Sequence, residues 1–150
     1  MMNIVEIDKL SCADLPLLYD LMQQQMLDIG SQKSPLDIQS AIANALKTQS
    51  RARFFLAKEN DTAIAAIFLN VCSGIESAGD YIWINEIQVA PAYRGRCVAT
   101  RLLNHLTLWA KEKGITAIYG STDTGNKASQ ELFKAREFSV GNVKWLSRKV

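Results

Sequence analysis

The stretch Asn85-Glu86-Ile87-Gln88-Val89-Ala90-Pro91-Ala92-Tyr93-Arg94-Gly95-Arg96-Cys97-Val98-Ala99-Thr100-Arg101-Leu102-Leu103 contains a change of hydrophobic period. Its first part completes an apolar run from Tyr81 to Ala90 in which both faces are largely apolar, the pattern of a central strand covered on each side. Pro91 ends that strand because it has no N–H for the ladder. Beyond it, Ala99, Leu102, Leu103, Leu106, Trp109 and Ala110 recur at steps of three and four, which predicts a helix over Arg96–Lys113 closed by Gly114. A buried strand that passes through a short Arg- and Gly-bearing loop into a helix aims free backbone N–H groups and the positive end of the helix dipole at one point. That arrangement suits a pyrophosphate. The loop has neither the Gly-Lys-Ser/Thr ending of a Walker motif nor the three glycines of a dinucleotide fingerprint.

Upstream, Asn3–Ile7 reads as a short strand. Ser11 then reads as the N-cap of a helix running towards Gly30, with Asp14 three residues on, Pro16 in the first turns and Leu15, Leu18, Leu21, Met22, Met26 and Ile29 on one face. A second helix starts at Ser34-Pro35, carries Ile38, Ile42, Ala45 and Leu46 at helical spacing and ends between Thr48 and Arg51. Arg53–Lys58 and Ala63–Cys72 are strands joined through Glu59-Asn60-Asp61, and a loop with Gly74 and Gly79 leads back to Tyr81. Downstream come a strand over Ile115–Gly120, a helix over Asn126–Arg136 and a last strand over Val143–Leu146. With no repeat or low-complexity segment and no linker, residues 1–150 read as one domain.

Composition narrows the function classes. A chain of 150 residues that is 48% hydrophobic and 21% charged can bury roughly 68 to 70% of its unfolded surface, enough for a core without disulfides or metal. Ala63–Leu69, its longest apolar stretch, falls far short of the roughly 18 to 20 residues of a membrane span. Glu6, Asp8 and Asp14 do not fit a signal peptide, so a cytoplasmic protein is expected. Cys12, Cys72, Cys97 and the single His105 form no zinc pattern, and no metal site is expected. Cys12 and Cys72 read as small apolar residues, His105 as a solvated helix residue, and Trp83, Trp109 and Trp145 as core. A net charge of only +2 argues against nucleic acid as a partner. The halves differ, however. Residues 1–92 hold 6 Lys and Arg against 11 Asp and Glu, and residues 93–150 hold 11 against 4. An anion is expected to meet the second half.

The segment from Arg94 to Ala99 resembles the acetyl-CoA-binding motif of the GNAT-type N-acetyltransferases: Gln or Arg, two residues, Gly, one residue, Gly or Ala, after a strand ending in Val-x-Pro. Arg94 and Ala99 match at the two ends, and Cys97 stands where the family has its glycine. A second family motif matches Asn126, Ser129, Leu132, Phe133 and Phe138, with Glu137 in place of a glycine and Phe133 in place of the usual tyrosine. The order of elements agrees over essentially the whole chain. The resemblance implies the GNAT fold, an α/β (α+β) domain with a mixed, mostly antiparallel central sheet flanked by helices. It also implies acetyl-CoA as cosubstrate, an amine acceptor, no membrane partner, and compatibility with a homodimer. The backbone of Ile87, Gln88 and Val89 would then meet the pantetheine arm. The loop and helix start, Arg94, Gly95, Arg96, Cys97, Val98, Ala99 and Thr100, would meet the pyrophosphate, and Asn126 and Phe133 would complete the cofactor site. CoA would lie against the basic half, and the acidic half would suit a cationic amine.

Glu86 is the expected general base. It reads as lying on the face of Ile82 and Ile84 in a buried strand, where an ionised carboxylate is costly and its pKa rises towards the working pH. The alternatives are a carboxylate paired with an arginine such as Arg53, or one turned to solvent at a bulge. The implied reaction is direct transfer, with the amine attacking the thioester and the Val89 N–H stabilising the oxyanion. Because Phe133 cannot protonate the departing thiolate, Ser129, Tyr119 or water takes that place, or the thiol, with a pKa near 8.5, leaves as its anion. The rival reading is a binding module on the same fold that keeps acyl-CoA as a ligand or sensor without turnover. Retention of Glu86 favours the enzyme.

Overall fold

The computed structural model describes residues 1–11 and 13–150, so the expectation for Cys12 lies outside the described residues. Five strands form one sheet in the order β1 (Met2–Ile7), β2 (Ala52–Glu59), β3 (Thr62–Gly74), β4 (Gly79–Val89) and β5 (Ala117–Gly120). Neighbours are antiparallel except β4 and β5, which are parallel. Four helices accompany the sheet: α1 (Leu15–Asp28), α2 (Pro35–Ala45), α3 (Val98–Glu112) and α4 (Lys127–Lys134). This is the mixed, mostly antiparallel α+β arrangement expected from the sequence.

The sheet is covered on both faces, which is why β2, β3 and β4 read as largely apolar runs. Side chains alternate along β2, so Phe54 and Leu56 enter one core while Phe55 and Ala57 enter the other. Leu18, Leu21 and Met22 of α1 and Ile38 and Ile42 of α2 cover the first core. Leu102, Leu103, Leu106 and Ala110 of α3 cover the second, against Ile67, Leu69, Ile82 and Ile84.

Local signals set most boundaries. Ser34 and Asp37 form a reciprocal capping box: the Ser34 hydroxyl accepts from the Asp37 N–H, and the Asp37 carboxylate accepts from the Ser34 N–H. Gly114, at φ 70°, closes α3. There the Ile115 N–H reaches the Ala110 carbonyl and the Gly114 N–H reaches that of Lys111, the two bonds of a Schellman ending.

The most consequential departure from the sequence reading is in β4. Phe68 of β3 pairs with Glu86 while Leu69 pairs with Ile84, so Asn85 is an extra residue without a partner, a β-bulge. Simple alternation puts Glu86 on the face of Ile82 and Ile84. The bulge moves it to the opposite face, across from Phe68 and beneath α1 and α2, while Ile87 joins the α3 core.

Four other expectations change. Ser11 is not the N-cap of α1. The helix starts one turn later at Asp14, whose carboxylate is drawn to Lys58 at 2.6 Å, and the Ser11 hydroxyl is engaged with Asp8. Val143–Leu146 is not a strand. Apolar content is a local property, whereas a strand needs a neighbour, and these residues join no ladder. Val143, Trp145 and Leu146 are 88%, 72% and 89% exposed, so Trp145 is not core either. His105 is half-buried with its ring edge-on to Phe55 at 5.3 Å, not fully solvated. No described helix is long and apolar enough to cross a membrane.

Leu102 and Leu108 lie on the same helix, but one is fully buried and the other 61% exposed. Leu102→Ala should cost roughly 2 to 5 kcal/mol through lost burial and a residual cavity. Leu108→Ala should stay within about 0.5 kcal/mol of the parent. Urea titration of both variants checks the assignment of the α3 core.

Candidate active site

The bulge at Asn85 turns the Glu86 carboxylate towards an open cavity of about 410 Å³ lined by α1, α2 and the sheet. Glu86 is half-buried, and its Oε2 accepts a hydrogen bond from Gln25 Nε2 at 2.9 Å. Burial pushes its pKa above the usual glutamate value, and the Gln25 bond opposes only part of that rise. A carboxylate held this way keeps a proton at a higher pH than a free one would. It is therefore suited to exchanging a proton with a group bound in the cavity.

A second carboxylate fixes the frame around it. Asp28, at the end of α1, accepts from Gln24 at 2.8 Å, Gln88 at 3.1 Å and Arg94 at 2.8 Å. These three bonds hold its pKa below the ordinary aspartate range. Arg94 also donates from Nε to the Val89 carbonyl at 3.0 Å. Gln88 is the buried polar side chain among the described residues, at 4% exposure, and Asp28 satisfies it. One aspartate thus ties α1 to β4 and to the loop that leaves it.

Sequence reading missed Gln25 and Asp28. The available signal was their position: they lie four and seven residues after Leu21 and so continue the stripe of Leu18 and Leu21. A polar residue in a buried helical stripe needs a partner.

Beyond the bulge, β4 loses one neighbour. Its pairing with β5 covers only Tyr81 to Ile84, so the edge from Asn85 to Val89 on that side faces no strand. Ala90 donates to Ile64 of β3, and the Val89 carbonyl is taken by Arg94. In an antiparallel ladder the direction alternates residue by residue, so the N–H groups of Ile87 and Val89 point to the open side. The strand then passes through a single 3₁₀ turn, Pro91–Tyr93, to the start of α3. The earliest helical acceptor there is the Cys97 carbonyl, bonded by Arg101 at 3.1 Å. The N–H groups of Val98, Ala99 and Thr100 therefore precede the first helical bond, and Cys97 provides no side-chain cap. Gly95 (φ 75°) and Cys97 (φ 58°) are both left-handed. Arg96 lies over the Tyr93 ring at 5.3 Å.

The remaining expected site residues are on or near α4. Asn126 caps that helix, its Oδ1 accepting from the Ser129 N–H at 3.0 Å. Phe133 packs edge-on against Phe138 at 5.0 Å. Tyr119 of β5 is 46% exposed, edge-on to Tyr81. The acidic excess of residues 1–92 is not gathered in the cavity. Glu6, Asp14, Asp28 and Asp80 are paired with Arg53, Lys58, Arg94 and Arg51, so the Arg53 pairing considered for Glu86 goes to Glu6.

Residues 15–138 match the family described as acetyltransferase (GNAT) family. The chain belongs to that family. It is an acetyltransferase by family. A comparison with curated proteins finds no match. Several solved structures share the fold. A "predicted acetyltransferase with acetyl-CoA" from Clostridium acetobutylicum is 23% identical, with a TM-score of 0.77 over 99% of this chain and 96% of that one. An aminoglycoside N-acetyltransferase in complex with CoA is 20% identical, with a TM-score of 0.82 over 99% and 95%. A "possible acetyltransferase" from Clostridium difficile 630 is 13% identical, with a TM-score of 0.85 over 100% and 98%.

The left-handed conformation at residue 97 explains why the GNAT motif has a glycine there: a Cβ in this region is strained by roughly 1 to 2 kcal/mol. Cys97→Gly should therefore leave the unfolding free energy unchanged or raise it by up to about 1 kcal/mol, after allowing for the greater freedom of glycine in the unfolded chain. Gly95→Ala, which introduces the same strain, should lower it by about 1 kcal/mol. Urea unfolding of both variants measures the difference, and a clear loss in Cys97→Gly would mean that the sulfur packs rather than strains.

Proposed function

We propose that the protein transfers the acetyl group of acetyl-CoA to a primary amine held beside Glu86, by direct transfer. The observation that carries this reading is a desolvated carboxylate facing a cavity at the place where β4 parts from β5. The residues present fit CoA. The open edge at Ile87–Val89 offers amide groups to an extended amide-bearing arm. The N–H groups of Val98, Ala99 and Thr100, at the positive end of α3, suit a pyrophosphate. The left-handed turn through Gly95 and Cys97 keeps the backbone of that corner exposed.

Acetyl-CoA supplies an acyl group activated as a thioester. Glu86 takes the proton that the amine must lose, directly or through water, while Gln25 holds the carboxylate in place. The Val89 N–H points to the open side of β4, where it can meet the carbonyl oxygen as negative charge grows on it. One such donor is worth roughly 3 to 4 kcal/mol of barrier. The C–N bond forms as the C–S bond breaks, and CoA leaves as thiolate or thiol. Phe133 has no proton to give, so Ser129, Tyr119 or water protonates the sulfur, or it departs as its anion. Arg94 is a positioning residue in this scheme: its bonds to Asp28 and Val89 fix the strand end.

Release of free CoA thiol in the presence of an amine tests transfer against a ligand-holding role. Glu86→Gln should lower kcat by a factor of roughly 10² to 10⁴. Its acetyl-CoA affinity, read from the shift in melting temperature, should stay within about twofold, because the carboxylate serves the amine. The base must be ionised and its pKa is raised, so the acid limb of the parent kcat/KM profile should lie above the free glutamate value of about 4.3. That limb should vanish in Glu86→Gln. Full kcat in the variant at every pH would remove Glu86 from the chemistry.

A further inference from the structure

The cavity beside Glu86 is walled mainly by hydrocarbon: Met22 and Met26 from α1, Ile38 and Ile42 from α2, and Phe54 and Phe68 from the sheet. The two phenylalanine rings stack face to face, with centroids 4.4 Å apart and planes within 10°, and Phe68 is the less buried of the two. Among the described residues, three charged side chains reach the lining: Glu86, Asp37 and Lys33. Asp37 is already engaged, because its Oδ2 accepts from both the N–H and the hydroxyl of Ser34 at 2.8 Å. The lining therefore carries two carboxylates and one ammonium group: Asp37 lies at the exposed start of α2 under the charge of Lys33, which leaves Glu86 as the carboxylate at the sheet.

A cavity that welcomes a polycation needs several acceptors, since each further ammonium group buried against hydrocarbon is costly unless it is paired. This one instead rewards apolar surface next to a single amine. We infer that the acceptor is a small primary monoamine with an alkyl or flat aromatic body, and that the hydrocarbon wall together with Lys33 selects against polyamines and aminosugars. The inference rests on the transfer reading above and specifies its substrate class. Met22 and Met26 let the wall adapt to bodies of different shape, because methionine side chains are unbranched and flexible.

Initial rates of the full-length protein with acetyl-CoA and a panel of amines test the inference. Along ethylamine, butylamine and hexylamine, kcat/KM should rise by up to about fourfold per methylene while the chain still gains contact. 2-Phenylethylamine should exceed spermidine and kanamycin by at least about tenfold, a modest demand on an apolar pocket. Ala41→Asp, which adds a carboxylate to the lining at an exposed position of α2, should move the ratio of spermidine to 2-phenylethylamine towards spermidine by about fivefold or more. Spermidine or kanamycin equal to the monoamines, a flat chain-length series, or a Met-initiated peptide better than every free monoamine would each overturn the inference. Calorimetric binding of hexylamine and spermidine to the CoA-loaded protein separates the two levels. Tighter hexylamine binding without any acetyl transfer would refute the transfer reading and leave the selectivity standing. Transfer with tighter spermidine binding would refute the selectivity alone, and no binding of either amine would overturn both.

Discussion

The structure depends on one extra residue in a strand. β4 pairs along its length with β3 but only as far as Ile84 with β5, and Asn85 sits where the second pairing stops. A regular ladder would have kept Glu86 on the α3 side, in a core with no place for a carboxylate. The bulge brings it instead under α1 and α2. A bulge interrupts pairing and bends its strand, and here the bend coincides with the place where β4 stops serving β5. The open edge and the reoriented carboxylate occur at the same position.

That edge would be of little use if the strand end wandered. Asp28 holds it, accepting from Gln88 inside the sheet and from Arg94 beyond it, while Arg94 caps the Val89 carbonyl. The C-terminal end of a helix is an unfavourable place for a negative charge, and the Arg94 guanidinium and two side-chain amides offset it. The cavity wall, the base and the loop leading to α3 are therefore braced through one carboxylate that itself takes no part in the proposed chemistry.

Most of the fold was legible because it depends on local patterns. The three-and-four spacing of α3, the Ser34–Asp37 capping box and Gly114 specify their elements by short-range physics. The loop from Arg94 to Ala99 and the cluster from Asn126 to Phe138 were legible through resemblance. The rest depends on partners distant in sequence. Whether Val143–Leu146 forms a strand is decided by a neighbouring edge, and the Asp14 carboxylate at the start of α1 meets Lys58, 44 residues away. The bulge has no sequence signature of its own, so Glu86 was assigned the wrong face. Gln25 and Asp28 were visible only as polar residues that continue the line of a buried stripe, and their partners on β4 and in the loop that follows it are distant in sequence.

Glu86 also couples folding to protons, and in the opposite sense to most carboxylates. Its pKa is higher in the folded chain than in the unfolded one, so between those two values the folded state binds more protons. Stability from this group therefore falls as pH rises through that window and is level above it. Asp28 and Asp37, whose pKa values are lowered, act the other way: the stability they contribute is present above the unfolded value and is lost as pH falls through the folded one. Mild acid thus relieves the desolvated carboxylate before it weakens the two braced ones. The form of the protein with Glu86 protonated tolerates burial best, while the ionised form, which can accept a proton, gives up part of that tolerance.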